Sequence, residues 1–583
     1  MNRLIRLTFL MSSIALMIPG MASASTAGTA GSCSAFAAGA CPSSIPSGVN
    51  SFYFIDYVGG SDNNSGASET APFQHMPCGA NATGNAAAAC TAAPGTGWIF
   101  KGGVTVDFHS WPANVPFGGT SGAPTYIGPD PGWFTGAGWS RPIFSGGGST
   151  GYDSGAQGFV GDHAHTTNWV VIDNIEFTGL YWSSSSGSGN SNYYAYCYVC
   201  NNAYAGDTNW EVKNIYAHNW TNIGGGAYDP GGYQALISLP ADGTPGRQSS
   251  LHDSVIDGSD SQQNCCMASG AAIQYNNYYS YLVDNPYNDG LTTNGLVILH
   301  DNYSTLSVNS SGGVHENCFH LFASDGAGIG GTAIIYNNFD DCKNVGTNAE
   351  PMAFELIGAT VYAFNNVIAA GNPAGISNSS WSSTSAGTTI FEFNNTIQAY
   401  NARSIAASSC YTSGYKNVAM FADNFCITNN SNGPSVGTFG PFSGSNSFPS
   451  PKFTLACSAG AQTNLGMSQI CAPIGAGNGT GNLNFTETYP FAPMDATAAA
   501  TVGTGQNNAS YCAAISAINA GAGNACLSDT TLGVSYNSST HTVSWPSRSP
   551  VARPSSGAWT NGAYQYANGQ PPTPPTGLAA DVN

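Results

Sequence analysis

The stretch VILHDNYS, from Val297 to Ser304, is one copy of a pattern that recurs through the middle of the chain. In each copy an apolar segment ends in a polar residue and an asparagine, and a second apolar segment follows. The apolar segments alternate and are rich in β-branched and aromatic residues, which is typical of strands and not of helices. The copies place the asparagine, once replaced by serine, at Asn174, Asn214, Ser254, Asn277, Asn302, Asn338, Asn366, Asn395 and Asn424.

The spacing of the copies sets the architecture. Successive steps are 40, 40, 23, 25, 36, 28, 29 and 29 residues. The short steps suit one turn of a solenoid, and the longer ones suit a turn with an inserted loop, or two turns. Each unit is too short to fold alone, so stacking must bury a continuous interior. An asparagine at each turn can bond both the backbone and the next asparagine, because its amide donates and accepts.

We therefore predict an all-β fold, a single-stranded right-handed parallel β-helix with loop insertions. The alternatives are a β-sandwich array or a propeller. Both are disfavoured because no blade signature recurs and the short steps cannot hold four strands.

The composition agrees with a parallel stack. Of 583 residues, 12 are Lys or Arg and 31 are Asp or Glu, which gives 7% charged residues and a net charge of −19. An ordinary soluble domain has about 25% charged residues. Like charges on neighbouring strands would lie about 4.8 Å apart and repel each other. The scarcity of basic residues leaves no electrostatic footprint for nucleic acid, and no long amphipathic helix favours a nucleotide-binding α/β enzyme or a coiled coil.

Residues 1–24 have the pattern of a secretory signal peptide. Arg3 and Arg6 precede an apolar run from Leu7 to Ile18, and small residues end the segment at Ala24. The apolar run is too short for a membrane span. We expect a secreted, extracellular or cell-surface protein, monomeric and without a transmembrane segment.

The 16 cysteines fit an oxidising compartment. Cys197 and Cys200 form a CxxC motif that could be half a zinc site or a redox motif, but no matching CxxC follows. These two form a second group with Cys265 and Cys266. The close sequence pairs are Cys33/Cys41, Cys78/Cys90, Cys410/Cys426, Cys457/Cys471 and Cys512/Cys526.

Four further stretches resemble a known family. FYFIDYVGGSDNNSGASETAPFQHM, from Phe52 to Met76, and GTGWIFKGGVTVD, from Gly95 to Asp107, resemble the start of secreted pectate-lyase-like β-helix proteins, and RPIFSGGG, from Arg141, continues the likeness. RPSSGAWTNGAYQY, from Arg553 to Tyr566, resembles their closing strand. The resemblance implies the β-helix fold over about residues 50 to 566. The superfamily includes polysaccharide lyases, glycoside hydrolases, esterases, epimerases and binding proteins, and no catalytic signature of one activity is evident.

These features divide the chain as follows: signal peptide 1–24, N-terminal mature segment 25–50, β-helix core 51–430, irregular cysteine-containing turns with a closing strand 431–566, and a Pro-rich tail 567–583.

Charged residues are rare, so a cluster of them between residues 315 and 355 is informative. The segment Cys318–Leu321 aligns with Ala353–Leu356, which predicts that His320 and Glu355 point outward from neighbouring strands, about 4.8 Å apart at the backbone. A histidine beside a carboxylate on an open sheet suits acid–base chemistry. The candidate catalytic residues are His320, Glu355, Glu316, Glu350 and Lys343, and the candidate substrate-binding residues are His315, Asp341, Trp182 and Tyr196.

The cluster permits two reactions on a glycan. In β-elimination a base takes the C5 proton of a uronic acid while Lys343 steadies its carboxylate. In hydrolysis a carboxylate pair, Glu316 with Glu350 or Glu355, flanks the glycosidic bond. The alternative is that these residues are an ordinary solvated face, with His320 and Glu355 joined by a hydrogen bond between turns.

Other polar groups have simpler interpretations. His252-Asp253 and His300-Asp301 precede the turn position in two copies, so we interpret them as turn chemistry. No cofactor is expected. The alternatives are a metal at His163 and His165, near Asp162, which lack a visible third ligand, and Ca²⁺ at Asp257 and Asp260 with Ser259.

Tyrosine and tryptophan are frequent, and exposed rings on a β surface stack on sugars. The run from Trp182 to Tyr198 lies in a polar insertion, which favours partial exposure, whereas the alternative is that these rings fill the interior. We expect either a secreted polysaccharide-active enzyme, a lyase or a glycoside hydrolase, or a non-catalytic surface or adhesive β-helix that binds glycan or cell envelope.

Overall fold

The structure is a computed structural model. It describes residues 45–90, 93–115, 118–152, 158–161, 167–182, 197–200, 207–222, 235–240, 242–261, 267–282, 287–288, 294–305, 316–317, 319–322, 330–342, 349–350, 352–356, 358–370, 376–377, 388–399, 417–428, 454–456, 503 and 505–566.

Two long parallel sheets form two sides of a solenoid. Each has twelve strands in the described part of the chain, and the strands follow one another in chain order. Sheet 1 contains Ser51–Ile55, Thr96–Gly102, Thr125–Phe134, Asn168–Asp173, Thr208–Lys213, Ser250–His252, Ile273–Tyr275, Leu296–His300, Thr332–Tyr336, Thr360–Phe364, Thr389–Phe393 and Asn417–Ala422. Sheet 2 contains Thr105–Val106, Ile143–Ser145, Glu176–Thr178, Tyr216–His218, Val255–Asp257, Tyr278–Ser280, Tyr303–Thr305, Phe339–Cys342, Val367–Ala370, Thr396–Ala399, Phe425–Thr428 and Thr454–Ala456.

Shorter parallel strands form the third side of the solenoid. One group is Ala113–Asn114, Val160–Gly161, Val199–Cys200, Ala235–Ser238 and Met267–Ser269, and the next is Tyr287–Asn288, His320–Phe322, Met352–Glu355 and Ile376–Ser377. Glu316–Asn317 pairs with Ala349–Glu350, and Leu180–Trp182 pairs with Trp220–Asn222.

This strand order confirms the predicted all-β parallel β-helix. Even the 40-residue steps are single turns, because Asn168–Asp173, Thr208–Lys213 and Ser250–His252 are direct neighbours in sheet 1. The additional residues therefore lie in loops inserted between strands and do not form a second turn.

A ladder of buried amides connects the turns between sheets 1 and 2. The side-chain Nδ2 of Asn302 donates to Oδ1 of Asn338 at 3.0 Å, and Asn338 donates in the same way to Asn366. The backbone N–H of each ladder residue donates to the same oxygen. The ladder runs from Ser254, whose N–H donates to Asn277, through every predicted asparagine up to Asn424.

The prediction of the ladder is wrong at its first two positions, Asn174 and Asn214. Asn174 and Asn214 adopt positive φ angles of 53°, the conformation that Asp253 and Asp301 adopt one residue before the ladder. The ladder position itself is held there by Ile175 and Ile215, both fully buried. Asparagine suits both the left-handed conformation and the ladder position that follows it. The residue type alone therefore does not distinguish the two positions.

The interior is apolar along most of the stack. Inward-facing residues of sheet 1, such as Ile172, Val212 and Leu251, pair in register and are fully buried. Large rings including Trp98 and Trp210 fill the first turns. Continuous burial of this kind holds neighbouring turns together without charged contacts.

Helices are few and short. In the described residues they are Gly84–Ala88, Ala509–Ile518 and Ala520–Cys526, with single 3₁₀ turns at Phe108–Ser110 and Gly148–Thr150. The region 431–566 was expected to hold irregular turns, yet it contains two of these helices and an antiparallel hairpin, Ser535–Asn537 with Thr542–Ser544. The segment Arg553–Tyr566 holds no strand and packs as irregular chain.

Residues 505–566, named here the C-terminal cover, lie against the outer face of sheet 1. Ile515 and Trp559 pack on the outward side chains Ile334, Phe364 and Phe393. Hydrogen bonds fix the cover to several turns, from Thr531 to Asp301, from Arg553 to Asn365 and from Asn508 to Asp423. The buried Arg548–Asp529 ion pair, at 2.6 Å, orders the cover itself.

Two of the close sequence pairs form disulfides, Cys78–Cys90 and Cys512–Cys526. Cys197 is also disulfide-bonded, so its sulfur is not available as a zinc ligand in this structure. The pairs Cys33/Cys41 and Cys457/Cys471, the residue Cys410 and residues 1–24 lie outside the described residues. No described helix is long and apolar enough to cross a membrane.

Candidate functional site

The predicted catalytic cluster falls on the third side of the solenoid. His320 lies in the strand His320–Phe322, and Glu355 ends the strand Met352–Glu355 on the next turn. His320 pairs with Ala353, and Glu355 pairs with Phe322. The expected direct pairing of His320 with Glu355 is therefore wrong by two residues.

The physical reason is the period of a strand. Side chains alternate between the two faces, so a shift of two residues leaves the inward and outward pattern unchanged. Phe319 and Leu321 are buried on one turn, and Met352 and Leu356 are buried on the next. The sequence pattern fits either pairing, and hydrogen bonding in the folded stack selects one.

His320 is also less accessible than expected. Its residue is only 5% exposed, and both ring nitrogens are buried. The prediction of an outward ring on an open sheet does not hold for this residue. A buried imidazole is not available to contact a ligand on the surface of the solenoid.

The two remaining glutamates lie on paired strands of neighbouring turns. Glu316 pairs with Ala349, and Glu350 pairs with Asn317, so the glutamates are one residue out of register. The strands of Glu316 and His320 belong to one turn, and those of Glu350 and Glu355 to the next. Three glutamates and a histidine thus gather on two adjacent turns of one side.

The structure separates Asp341 from this group. Asp341 lies in sheet 2, paired with Thr305 and Ala369, and not on the third side. It is half-buried, whereas Asp340 beside it is fully buried. Burial holds the pKa of the Asp340 carboxyl well above its usual range.

The other predicted binding residues are placed only in part. Trp182 ends the strand Leu180–Trp182, which pairs with Asn222 on the next turn. Lys343, His315 and Tyr196 lie outside the described residues. Among the neighbouring aromatic candidates, Tyr198 is fully buried in the core, and this agrees with the interior alternative for that ring.

A charged group that the sequence prediction did not assemble lies on the outer face of sheet 1. Nε2 of His252 lies 3.0 Å from Oε1 of Glu211, and its Nδ1 lies 2.6 Å from Oδ2 of Asp253. Lys213 Nζ donates to the same Glu211 oxygen at 2.8 Å. The repeat could have located this group, because Lys213 and His252 occupy equivalent places in successive copies.

The contacts fix the charges of this group. Burial raises the pKa of Glu211, but hydrogen bonds from His252 and Lys213 outweigh it and lower the pKa to about 2. Burial lowers the pKa of His252, but its two carboxylate partners outweigh it and raise the pKa. Glu211 is therefore a permanent anion on this face, as required of a fixed hydrogen-bond acceptor.

The turn interpretation of the His-Asp pairs agrees with the geometry. His300 bonds Asp301, and Asp301 adopts a positive φ of 56° in the turn. The rings of His252 and His300 also belong to a stack along sheet 1, with centroids 4.5–5.4 Å apart. The stack is His252, Tyr275, His300, Tyr336, Phe364 and Phe393.

A second charged group lies on the outer face of sheet 2. Nδ1 of His218 lies 2.7 Å from Asp260, and its Nε2 lies 3.3 Å from Glu176. The ring of Tyr216 lies between His218 and His541, with centroids 4.1 and 3.9 Å away. This group joins the hairpin of the C-terminal cover to the solenoid.

Among the described residues, no group of three or more His, Cys, Asp or Glu side chains has an arrangement that could hold a metal ion. Asp257 accepts from Ser259 N and Ser280 Oγ, and Asp260 accepts from Asn219 N. Both carboxylates thus bond protein donors. His163 and His165 lie outside the described residues.

The sequence matches no protein-family model and no curated protein. Solved structures do match. Pectate lyase Pel9A is 12% identical over 78% of this chain and 92% of its own, with a TM-score of 0.34. A rhamnogalacturonan lyase is 13% identical over 64% of this chain and 85% of its own, with a TM-score of 0.35.

A lacto-N-biosidase from Eubacterium ramulus is 12% identical over 65% of this chain and 64% of its own, with a TM-score of 0.31. The solved structures similar to this chain thus include polysaccharide lyases and a glycoside hydrolase.

Three sides of parallel strands, stacked turn on turn and joined by a ladder of asparagines, settle the architecture. The fold is a parallel β-helix. In this β-helix the third side carries short strands joined by long connections, and the predicted cluster is on that side.

Proposed function

We propose that this protein is a secreted enzyme that cleaves a polysaccharide, as a lyase or a glycoside hydrolase, along the third side of the β-helix. The observation that supports the proposal is the pairing of Glu316–Asn317 with Ala349–Glu350 and of His320–Phe322 with Met352–Glu355. The backbones of paired strands on adjacent turns lie about 4.8 Å apart. In a chain with 7% charged residues such a concentration is unusual.

The glutamates have two possible roles. In hydrolysis, two carboxylates about 5–5.5 Å apart give retention and about 6.5–9.5 Å apart give inversion. The pair proposed here is Glu316 on one turn with Glu355 on the next, because Glu316 and Glu350 are one residue out of register and successive side chains of a strand point to opposite faces. In β-elimination one carboxylate is the base, and Lys343, in the connection after sheet 2, neutralises the uronate.

His320 takes a different role in this proposal from the one its sequence context suggests. Its buried ring is two residues out of register with Glu355, so we assign it as a positioning residue on the turn next to Glu355. Lys343, His315, Trp182 and Tyr196 remain proposed contacts for the glycan. Asp341 leaves the site because it lies in sheet 2.

The test is depolymerisation of a panel of plant and bacterial polysaccharides by the exported protein. Ultraviolet absorbance of unsaturated uronate identifies a lyase, and new reducing ends without it identify a hydrolase. We expect Glu316→Gln, Glu350→Gln or Glu355→Gln to lower the turnover about 10²–10⁴-fold, the usual contribution of a general acid or base. Glu69→Gln, an exposed change in the first turns, is the matched control and leaves turnover unchanged.

His320→Gln distinguishes positioning from packing. A positioning residue shifts the pH profile of turnover, whereas a packing residue lowers thermal stability and leaves the profile in place. If every glutamate variant cleaves as the parent does, or if glycans bind and none is cleaved, the enzyme proposal fails. In the second case the protein is a glycan-binding β-helix.

A further inference from the structure

The outer face of sheet 1 is covered at both ends and open between them. Toward the N-terminus, Phe54, Tyr126 and Trp133 form an apolar cluster over it. Toward the C-terminus, the C-terminal cover packs on it. Between the two lies a cavity of about 350 Å³. That volume falls within the range of about 300–1,000 Å³ that small-molecule sites occupy.

One wall of the cavity is the indole of Trp169, which is half-exposed. Trp169 adopts a positive φ of 59°, in the left-handed region. For a bulky residue this conformation is strained, and strained residues concentrate at binding sites. An accessible indole face is the usual platform on which a sugar ring stacks.

The floor of the cavity includes Glu211. Both of its hydrogen bonds from Lys213 and His252 go to Oε1. No hydrogen bond to Oε2 is found in the described part of the chain, so this oxygen can accept from a ligand. Because the carboxylate is ionised, Oε2 accepts from hydroxyl groups, whereas a ligand carboxylate has no proton to donate to it.

The remaining polar lining is uncharged. Gln248 donates its amide N–H to the Leu296 carbonyl, and Asn209 donates to the Gly246 carbonyl, so both amides are held in place. Ser250 adds a hydroxyl from the sheet, and Ser121 adds one from an exposed turn at the rim. No basic side chain is among the described residues that line the cavity. The set suits a ligand rich in hydroxyl groups and without negative charge.

We propose that this cavity binds a neutral sugar ring, stacked on Trp169 and hydrogen-bonded to Glu211. The site is on sheet 1, whereas the proposed cleavage site is on the third side, so the proposal does not rest on the proposed function. The proposal predicts that this β-helix binds a neutral sugar on sheet 1, away from the proposed cleavage site.

The test is isothermal titration of the full chain with neutral tetrasaccharides of glucose, xylose, mannose and galactose, and with tetragalacturonate. We expect at least one neutral tetrasaccharide to bind. Trp169→Ala should weaken that binding more than about tenfold, the loss of about 1.4 kcal/mol. Trp545→Ala is the matched control, because Trp545 is 50% exposed and does not line the cavity.

Ser121→Trp is a second variant for the case in which Trp169→Ala does not fold. It fills the rim from an exposed turn, so it should abolish binding without loss of thermal stability. If no neutral tetrasaccharide binds, or if both variants bind as the parent does, the proposal is overturned.

The sign of the charge is tested separately. The parent should not bind tetragalacturonate, and Glu211→Gln should gain affinity for it. Equal binding of neutral and acidic tetrasaccharides by the parent overturns the role of Glu211. All titrations are repeated in Glu355→Gln, where binding should persist whether or not cleavage is lost, so that failure of one proposal does not affect the other.

Discussion

At the scale of single residues, the charge of His218 depends on its contacts with two carboxylates. Burial lowers its pKa, but hydrogen bonds to Asp260 and Glu176 outweigh burial and raise the pKa to about 9. The groups facing it are these two carboxylates, the Tyr216 ring and, beyond that ring, His541. Burial and the charge of His218 lower the pKa of His541.

This contact predicts a loss of stability in alkali. The ordinary pKa of histidine is 6.5, and that of folded His218 is about 9. Its contribution is fully present below about pH 6.5 and is lost as the pH rises through about 9. We expect the free energy of unfolding, from urea titrations between about pH 6 and pH 10, to fall by about 1–3 kcal/mol over this window.

His218→Gln should remove most of that fall, because glutamine does not titrate. His109→Gln is the matched control, since His109 is an exposed histidine paired with Asp107, and it should leave the fall in place. A fall of equal size in His218→Gln would show that another group is responsible.

At the scale of one turn, the sequence predicted the strands and most of the ladder positions, but it did not predict the strand register at the candidate site. The repeat gave the strands on both sides of the turn and seven ladder positions that the structure confirms, from Ser254 to Asn424. It misplaced Asn174 and Asn214 because asparagine suits two adjacent positions of one turn. Such an ambiguity is resolved by the φ angle, which residue type alone does not determine.

The ladder predicts a large effect of a small change. Asn338 Oδ1 accepts from N and Nδ2 of Asn302, and its Nδ2 donates to the Leu299 carbonyl and Asn366. Asn338→Ala leaves these buried groups unsatisfied, so we expect it to lower the free energy of unfolding by about 2–5 kcal/mol. Urea denaturation measures the change.

Asn63→Ala is the control for this substitution, because Asn63 is exposed and lies outside the ladder. It should change stability by less than about 0.5 kcal/mol. An Asn338→Ala protein as stable as the control would mean that water replaces the ladder bonds.

The candidate site was harder to predict for a reason particular to strands. The composition located the charged segment, and the repeat placed it on adjacent turns, as the structure does. The register of the two strands could not be predicted, because the buried residues Phe319 and Leu321 alternate with the same period as the buried residues of the next turn. The burial of His320 depends on segments distant in sequence, which no local pattern contains.

At the scale of the whole molecule, the C-terminal cover is the part that sequence patterns did not indicate. Its contacts join residues far apart in the chain, such as Arg553 with Asn365 and Arg141 with the backbone of Thr540 and His541. The cover packs on outward aromatic residues of sheet 1, including Tyr336 and Phe364. Their outward position was readable from the repeat, but their covering segment was not.

The cover predicts the behaviour of a shortened chain. A variant that ends at residue 504 exposes Ile334, Phe364 and Phe393 as one apolar strip, and such strips associate. We expect it to elute as soluble aggregates in size-exclusion chromatography and to bind a hydrophobic dye.

A variant that ends at Tyr566 keeps the whole cover and is the control, which should elute and bind dye as the parent does. A shorter variant that elutes as a compact single species without dye binding would contradict the role of the cover.

The span of the cover also has a consequence for the order of assembly. Each turn of a solenoid rests on its neighbours, so turns can stack as they are synthesised. The cover contacts turns as far apart as Arg141 and Asp423, yet it is made after both. The turns of the β-helix are therefore synthesised before the cover that contacts them. The contacts of the cover with both early and late turns can form only after residues 505–566 have been synthesised.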